Sequence, residues 1–205
     1  VIGGKQLQRF SIRGEKGYIK TYDDLPLNSR VKPGNILVQN IIAHIANPVD
    51  HIKLIGTVIE KGEADDLIIL DTVNQLANKS NYSSDFLLGI LHSRLMNWYI
   101  YRFIFAKAIR TMHFDGPVSD RIPIPEIKLE DNIFNEKYCK IVELVKQNQL
   151  LHKKLTEMQL DHERNVTQRQ IVAINQKINE YVYDIYKLTA EEIKIIETQY
   201  PTSGD

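Results

Sequence analysis

The stretch Asp85 to Arg110, "DFLLGILHSRLMNWYIYRFIFAKAIR", is the most apolar part of the chain, yet it carries Arg94, Arg102, Lys107 and Arg110 at intervals. A membrane-spanning helix needs about 18 or more apolar residues with few charges. No uncharged run between Asp85, Arg94 and Arg102 approaches that length. The stretch therefore predicts a helix buried on most sides, with Ser83 or Ser84 as N-cap, Asp85 at the positive end of the dipole and the basic residues late, where the dipole favours cations. Phe86, Leu87, Leu91, Leu95, Trp98 and Tyr99 are its expected core residues, and Arg94 a structural or phosphate-facing charge.

Composition bounds what surrounds this helix. With 205 residues, 43% apolar and 25% charged, the chain has enough apolar surface for one sizeable core or two small ones. The single cysteine, Cys139, excludes an internal disulfide framework and a cysteine zinc site, and fits a reducing, cytoplasmic setting. No histidine pair has metal-ligand spacing, and the Asn78, Asn81 and Asn165 sequons are short chance patterns. The chain opens on Val1 without a targeting motif, which suggests a piece of a longer protein.

Before Pro125 the texture is β-rich: "GYIKTY", "VKPGNILVQNIIAHI", "HIKLIGTVIEKGE" and "LIILDTV" are short β-branched runs bounded by turn residues, and "VKPGN" reads as a Pro-Gly turn feeding a strand. After "RIPIPEI" the period becomes helical. Ile141, Leu144, Asn148, Leu151, Leu155 and Met158 follow alternating steps of three and four, with the polar Asn148 placed to set register. Beyond the polar link "DHERNVTQR", a second seam runs through Ile171, Ile174, Ile178, Tyr181 and Ile185. Two seams with a short link predict an antiparallel helical hairpin, and Thr189 with Glu192 predicts a capping box opening a short last helix. The expected fold is α+β: a small mixed β-sheet domain with a buried helix over residues 1–127, then a coiled-coil-like hairpin over 128–205.

Formal charge is zero overall but uneven. Up to Ile122 there are 15 basic and 12 acidic residues; beyond it, 11 basic and 14 acidic. A polyanion is therefore expected to meet the sheet-bearing half. Two clusters qualify there. "KQLQRFSIRGEKGYIK" alternates Lys5, Arg9, Arg13, Lys16 and Lys20 with Phe10 and Tyr18; "FAKAIRTMHFDGPVSDRIPIP" sets Lys107, Arg110, His113 and Arg121 around a Gly-Pro turn. Cations hold phosphates, whereas Arg reads guanine and Asn or Gln reads adenine in the major groove. The candidate contacts are Arg9, Arg13, Gln39, Asn40, Lys107, Arg110, His113 and Arg121.

Enzyme signatures are missing from the sequence: there is no Gly-rich phosphate loop, no Ser-centred elbow and no zinc-binding His pair. The adjacent carboxylates Asp23–Asp24 and Asp65–Asp66 do not share a strand face, which makes them poor metal or acid-base pairs.

"DFLLGILHSRLMNWYIYRFIF" followed by "FDGPVSDRIPIPEI" resembles the signature of target-recognition domains in restriction-modification enzymes: a helix, here Phe86 to Leu95 with His92 where Asn is usual, then a loop and an "IPIP" strand. The resemblance is to the TaqI-like C-terminal specificity domains of adenine methyltransferases and of fused type II enzymes. "IGGKQLQRFSI", "VKPGNILVQNI" and "INEYVYDIYKLTAEEIKIIE" resemble that family's opening strand, a second strand and its closing segment. The resemblance implies binding of double-stranded DNA. It places S-adenosylmethionine, and magnesium where a nuclease is fused, in the parent enzyme rather than here, because the methyltransferase "NPPY"-type motif is not in this sequence. It also implies a methyltransferase domain as partner and, by similarity to type I specificity subunits, a spacing or docking role for the hairpin. The rival expectation is a coiled-coil interaction module that binds no DNA and forms oligomers through Asn148 and Leu151.

Overall fold

The computed structural model describes residues 1–20, 25–60, 62–64, 66–126 and 132–200. Asp23, Asp24, Asp65 and the 127/128 domain boundary lie outside the described residues. In chain order the elements are β1 (Leu7–Gln8), β2 (Ser11–Ile12), β3 (Ile36–Gln39), β4 (Ile41–Ile42), β5 (Gly56–Val58), β6 (Val73–Leu76), α1 (Ser84–His92), α2 (Arg94–Tyr99), a π turn (Ile100–Ile104), β7 (Met112–His113), α3 (Gly116–Ser119), α4 (Asn132–Glu157), α5 (Asp161–Ile185) and α6 (Ala190–Gln199). This is an α+β fold.

The central sheet, ordered β5-β3-β6, is antiparallel, as are the small pairs β1-β2 and β4-β7. Parallel pairing among the described residues is confined to the Ile2–Ile69 bridge. β3 shows why the apolar run "ILV" suits a central strand. Successive side chains point to opposite faces, so Ile36 and Val38 enter the larger core while Leu37 enters a smaller one with Ile2, Leu7, Val31, Ile59 and Val73. The turn that feeds β3 has Pro33 and Gly34 at its centre, Asn35 N–H donating to Lys32 O at 3.2 Å and Gly34 at φ 78°. That is the type II geometry in which the third position favours glycine.

Ser83 caps α1, its Oγ accepting from Asp85 N. The helix buries Phe86, Leu88, Ile90 and Leu91 on several sides at once. The long apolar stretch is not one helix, however. It breaks at Ser93, which takes an extended ψ of 152°. The cause is a set of side chains that offer the backbone other partners. Ser93 Oγ caps Met96 N; Asn97, fully buried, donates to Leu91 O at 3.0 Å and Ser93 O at 2.8 Å and accepts from Leu54 N at 2.7 Å. Arg94 N–H, freed by the break, is taken by Asn179 Oδ1 of α5 at 2.8 Å.

Three strand expectations fail: "LIILDTV" makes only isolated bridges at Ile68 and Ile69, and the strand begins at its last residue, Val73. Residues 17–20 of "GYIKTY" are not in a strand, and Tyr18 stands 84% exposed. "IPIP" is also unpaired as a strand: Pro123 and Pro125 have no N–H to give a ladder, and their carbonyls accept instead from Tyr186 Oη at 2.6 Å and Tyr82 Oη at 2.8 Å.

The hairpin forms antiparallel, with contacts Lys137–Asp184 (3.0 Å), Asn148–Asn175 (2.7 Å) and Met158–Thr167 (3.4 Å) running in opposite chain directions. Asn148 Nδ2 donates to Asn175 Oδ1 in a buried site, the role expected of a polar seam residue. Ile141, Ile174, Ile178 and Ile185 are buried; Leu144, Leu151 and Leu155 are only half-buried. Val145, one step off the expected seam, is fully buried because α4 packs on α1 as well as on α5. Glycine permits this approach: a Cβ on Gly89 would lie 2.7 Å from Ile141 Cγ2 and 3.1 Å from Val145 Cγ2. Gly89→Ala is expected to cost roughly 1–2 kcal/mol in urea unfolding, since overpacking outweighs the helix preference for alanine.

α6 opens with the expected capping box, Thr189 Oγ1 accepting from Glu192 N while Glu192 Oε2 accepts from Thr189 N at 2.8 Å. It closes over α2 through a buried polar group. Arg94 pairs with Glu197, Tyr183 Oη donates to Glu197 Oε1 at 2.5 Å, and Trp98 Nε1 donates to Gln199 Oε1 at 2.9 Å. Arg94 is therefore structural. No helix among the described residues is long and apolar enough to cross a membrane.

Candidate nucleic-acid interface

The β1-β2 turn consists of Arg9 and Phe10, with Phe10 at φ 63° and its ring buried. This geometry turns Arg9 inward. Its Nη2 donates to His92 O, the last carbonyl of α1, at 2.7 Å, and its guanidinium lies 5.7 Å from the Phe10 ring centroid. A cation there complements the negative end of the helix, so Arg9 joins the first segment to the core.

Gln39 and Asn40 are also used internally. Gln39 Nε2 donates to Gly4 O and, at 3.1 Å, to Leu7 O, holding the first segment against the end of β3. Asn40 Nδ2 donates to Asp71 O at 3.0 Å, and its Oδ1 lies 3.4 Å from His113 Nδ1. Arg13, Lys107, Arg110, His113 and Arg121 remain on the surface. Of these, Arg121 Nη2 donates to Phe103 O at 3.0 Å, which anchors one edge of its guanidinium.

The fold sets the second basic segment beside β4 through a short pairing that the sequence does not announce. Ile41 of β4 stands opposite His113 of β7, and Phe114 N–H donates to Asn40 O at 2.7 Å. Ile41 also lines an open groove of about 480 Å³ whose other walls include Gly4, Lys5, Lys16, Gln39 and Thr72. Through Ile41 the groove lined by Lys5 and Lys16 borders His113, with Arg110 two residues before the start of β7. Gly4 N–H is held by Thr72 Oγ1 at 3.0 Å, which seats the first segment along this groove.

A second groove of about 590 Å³ is lined by Asn28, Asp71, Asn74, Asp115 and Gly116 among others, with no cation among the described residues of its walls. Charge therefore separates the two: a polyanion is attracted to the groove with Lys5 and Lys16 and repelled by the carboxylates of the other. Arg13 is exposed just past β2, with its N–H on Gln6 O at 2.8 Å.

Two exposed apolar residues lie in the stretch before β7. Phe103 is 55% exposed and Ile109 77% exposed, on either side of a turn containing Lys107. The available signal was weak: Ile109 is an aliphatic residue between Lys107 and Arg110, beyond the end of the apolar helix pattern. For Thr72 no sequence signal existed, because its role depends on a contact 68 residues away.

Among the described residues no group of three or more His, Cys, Asp or Glu stands together to hold a metal. His92, buried, and His152, half-buried, pack against Phe10, with ring centroids 4.5 and 5.7 Å from the phenyl ring. Comparison with known proteins gave no matching family model, no matching curated protein and no matching solved structure.

Proposed function

We propose that this chain recognises double-stranded DNA, as the specificity part of a cytoplasmic restriction-modification enzyme whose N6-adenine methyltransferase or endonuclease chemistry resides outside the segment. The observation that carries the reading is that Ile41 both lines the open groove with Lys5 and Lys16 and pairs with His113 of the second basic segment. The motif resemblance noted in the sequence supports it independently.

In this reading the work of the chain is positional. Lys5, Lys16 and Lys107 neutralise phosphates and release counterions, which gives salt-dependent affinity. Arg110, His113 and Arg13 are the exposed groups with donors suited to base edges. Gln39 and Asn40 act one step back, holding the first segment and His113 in place through their amides. A methyltransferase that extrudes its target adenine needs a second body to fix register on the duplex, and the hairpin is the surface proposed to dock that partner. S-adenosylmethionine belongs to the upstream half, and no step performed by these residues runs through it.

The rival, an interaction module built on the coiled coil, draws less support. Asn148 has its partner within the same chain, and the seam residues Ile141, Ile174 and Ile178 are filled by α1, α4 and α5. Arg110→Ala is expected to weaken binding to the preferred duplex by about 1–3 kcal/mol and to relax preference at one position. Lys107→Ala is expected to weaken all duplexes alike and to lower the salt slope by about 1. Titrations of both variants against preferred and scrambled duplexes at several salt concentrations check this; equal losses on both duplexes for Arg110→Ala would remove it as a base reader.

A further inference from the structure

We propose that the turn between the π turn and β7 is a wedge, and that Ile109 inserts between base pairs of the bound duplex. The inference rests on the DNA-binding reading above and adds a mode of contact to it. Ile109 is among the most exposed large apolar residues, at 77%. An aliphatic side chain so placed gains nothing from the fold and loses by contact with water.

Its surroundings say what it meets. Lys107 and Arg110 flank it in the chain, both exposed, and Arg121 is tied to the neighbouring Phe103 through the carbonyl of that residue. Phe103 is itself half-exposed and is backed by Trp98 and Tyr99, with ring centroids 5.6 and 5.2 Å away. The carboxylates nearest in sequence are Asp115 and Asp120, and Asp115 is occupied in capping α3 at Val118 N. An apolar tip flanked in the chain by Lys107 and Arg110 complements a stack of bases between phosphate rails, and partial unstacking by Ile or Phe wedges is an established way of bending duplexes.

The turn is also held rather than loose. Ala106 and Lys107 both adopt left-handed backbone conformations, at φ 49° and 57°, which non-glycine residues adopt at a cost. Three contacts enforce them: Lys107 N–H to Tyr101 O at 2.9 Å, Ala108 N–H to Phe105 O at 3.0 Å, and Tyr101 Oη to Lys107 O at 3.4 Å. A rigid turn that presents an apolar tip suits a wedge, because a flexible loop would also lose conformational entropy on insertion.

The test uses the full chain and duplexes carrying 2-aminopurine, whose fluorescence rises on unstacking, at successive positions. The unsubstituted protein is expected to raise fluorescence at one step. Ile109→Ala, which removes only exposed atoms and is expected to keep its thermal midpoint, should abolish the rise and weaken binding about tenfold, the scale of one aliphatic burial. A mismatch at that step should restore most of the lost affinity, because the step is already unstacked. Binding by Ile109→Ala with unchanged affinity and an unchanged fluorescence rise overturns the wedge, as does unsubstituted protein that binds without any rise. Unsubstituted protein that fails to bind duplex even at low salt overturns the DNA-binding reading itself, and the two failures are thereby distinguished.

Discussion

Glu197→Ala is expected to destabilise the protein by about 3 kcal/mol, the low end of the range for removing one partner of a buried ion pair. Arg94 is 5% exposed, and Glu197 is its carboxylate partner across the α2–α6 contact. Alanine takes that carboxylate from a buried guanidinium and leaves the Tyr183 hydroxyl without its 2.5 Å acceptor. The partial exposure of Glu197 lets water recover some of the loss. Replacing both partners by apolar residues, Arg94→Met with Glu197→Leu, should cost much less than Glu197→Ala alone, because no charge is then left buried. Urea unfolding of the single and double variants measures the difference. A single variant within 1 kcal/mol of the unsubstituted protein would show that α6 is held by its apolar contacts, such as Ile196, rather than by the ion pair.

Acid is expected to unfold the protein through two histidines. Burial, reinforced by the positive charges of Arg9 and Lys53, lowers His152 to a pKa of about 4, and burial likewise pulls His92 well below its ordinary value, with Arg9, His152 and Lys53 adding to it. Both rings are therefore neutral in the fold and titrate near 6.5 once unfolded. The sign follows from linkage: the unfolded chain binds protons first, so stability is full above pH 6.5 and falls as pH drops toward 4. His152 alone accounts for roughly 3 kcal/mol of that loss, and His92 extends it to lower pH. Asp85 acts in the opposite sense, since burial raises its pKa and eases its protonation in the fold. Urea midpoints at pH 7, 6, 5 and 4 should decline steeply for the unsubstituted protein and flatten for His152→Gln. A flat profile in the unsubstituted protein would mean that the rings have water or acceptors that the fold as described does not supply.

The features that were legible in the sequence are those governed by short-range chemistry. The Ser83 cap, the Lys32–Asn35 turn, the Thr189–Glu192 box and the Asn148 register contact each depend on residues within one turn or on a seam period, and each is in the structure. The break at Ser93 was not legible because its cause is Asn97, whose acceptor reaches Leu54 across 43 residues. For the same reason Arg9, Gln39 and Asn40 looked like exposed recognition groups: a cation or amide beside aromatics reads alike whether it faces a base or a helix-end carbonyl. The β4-β7 pair is two residues long and joins segments about 70 apart, too short for alternation to signal. What the sequence did convey about the site was charge, in the contrast between the basic first part and the acidic hairpin.

Selection from a pool of random duplex DNA, at low and at physiological salt with the bound fraction sequenced, tests the proposed function most directly. The expected result is an enriched motif, bound with an affinity that falls as salt rises. Retention without enrichment would contradict sequence reading by this segment, and no retention at low salt would contradict DNA recognition altogether.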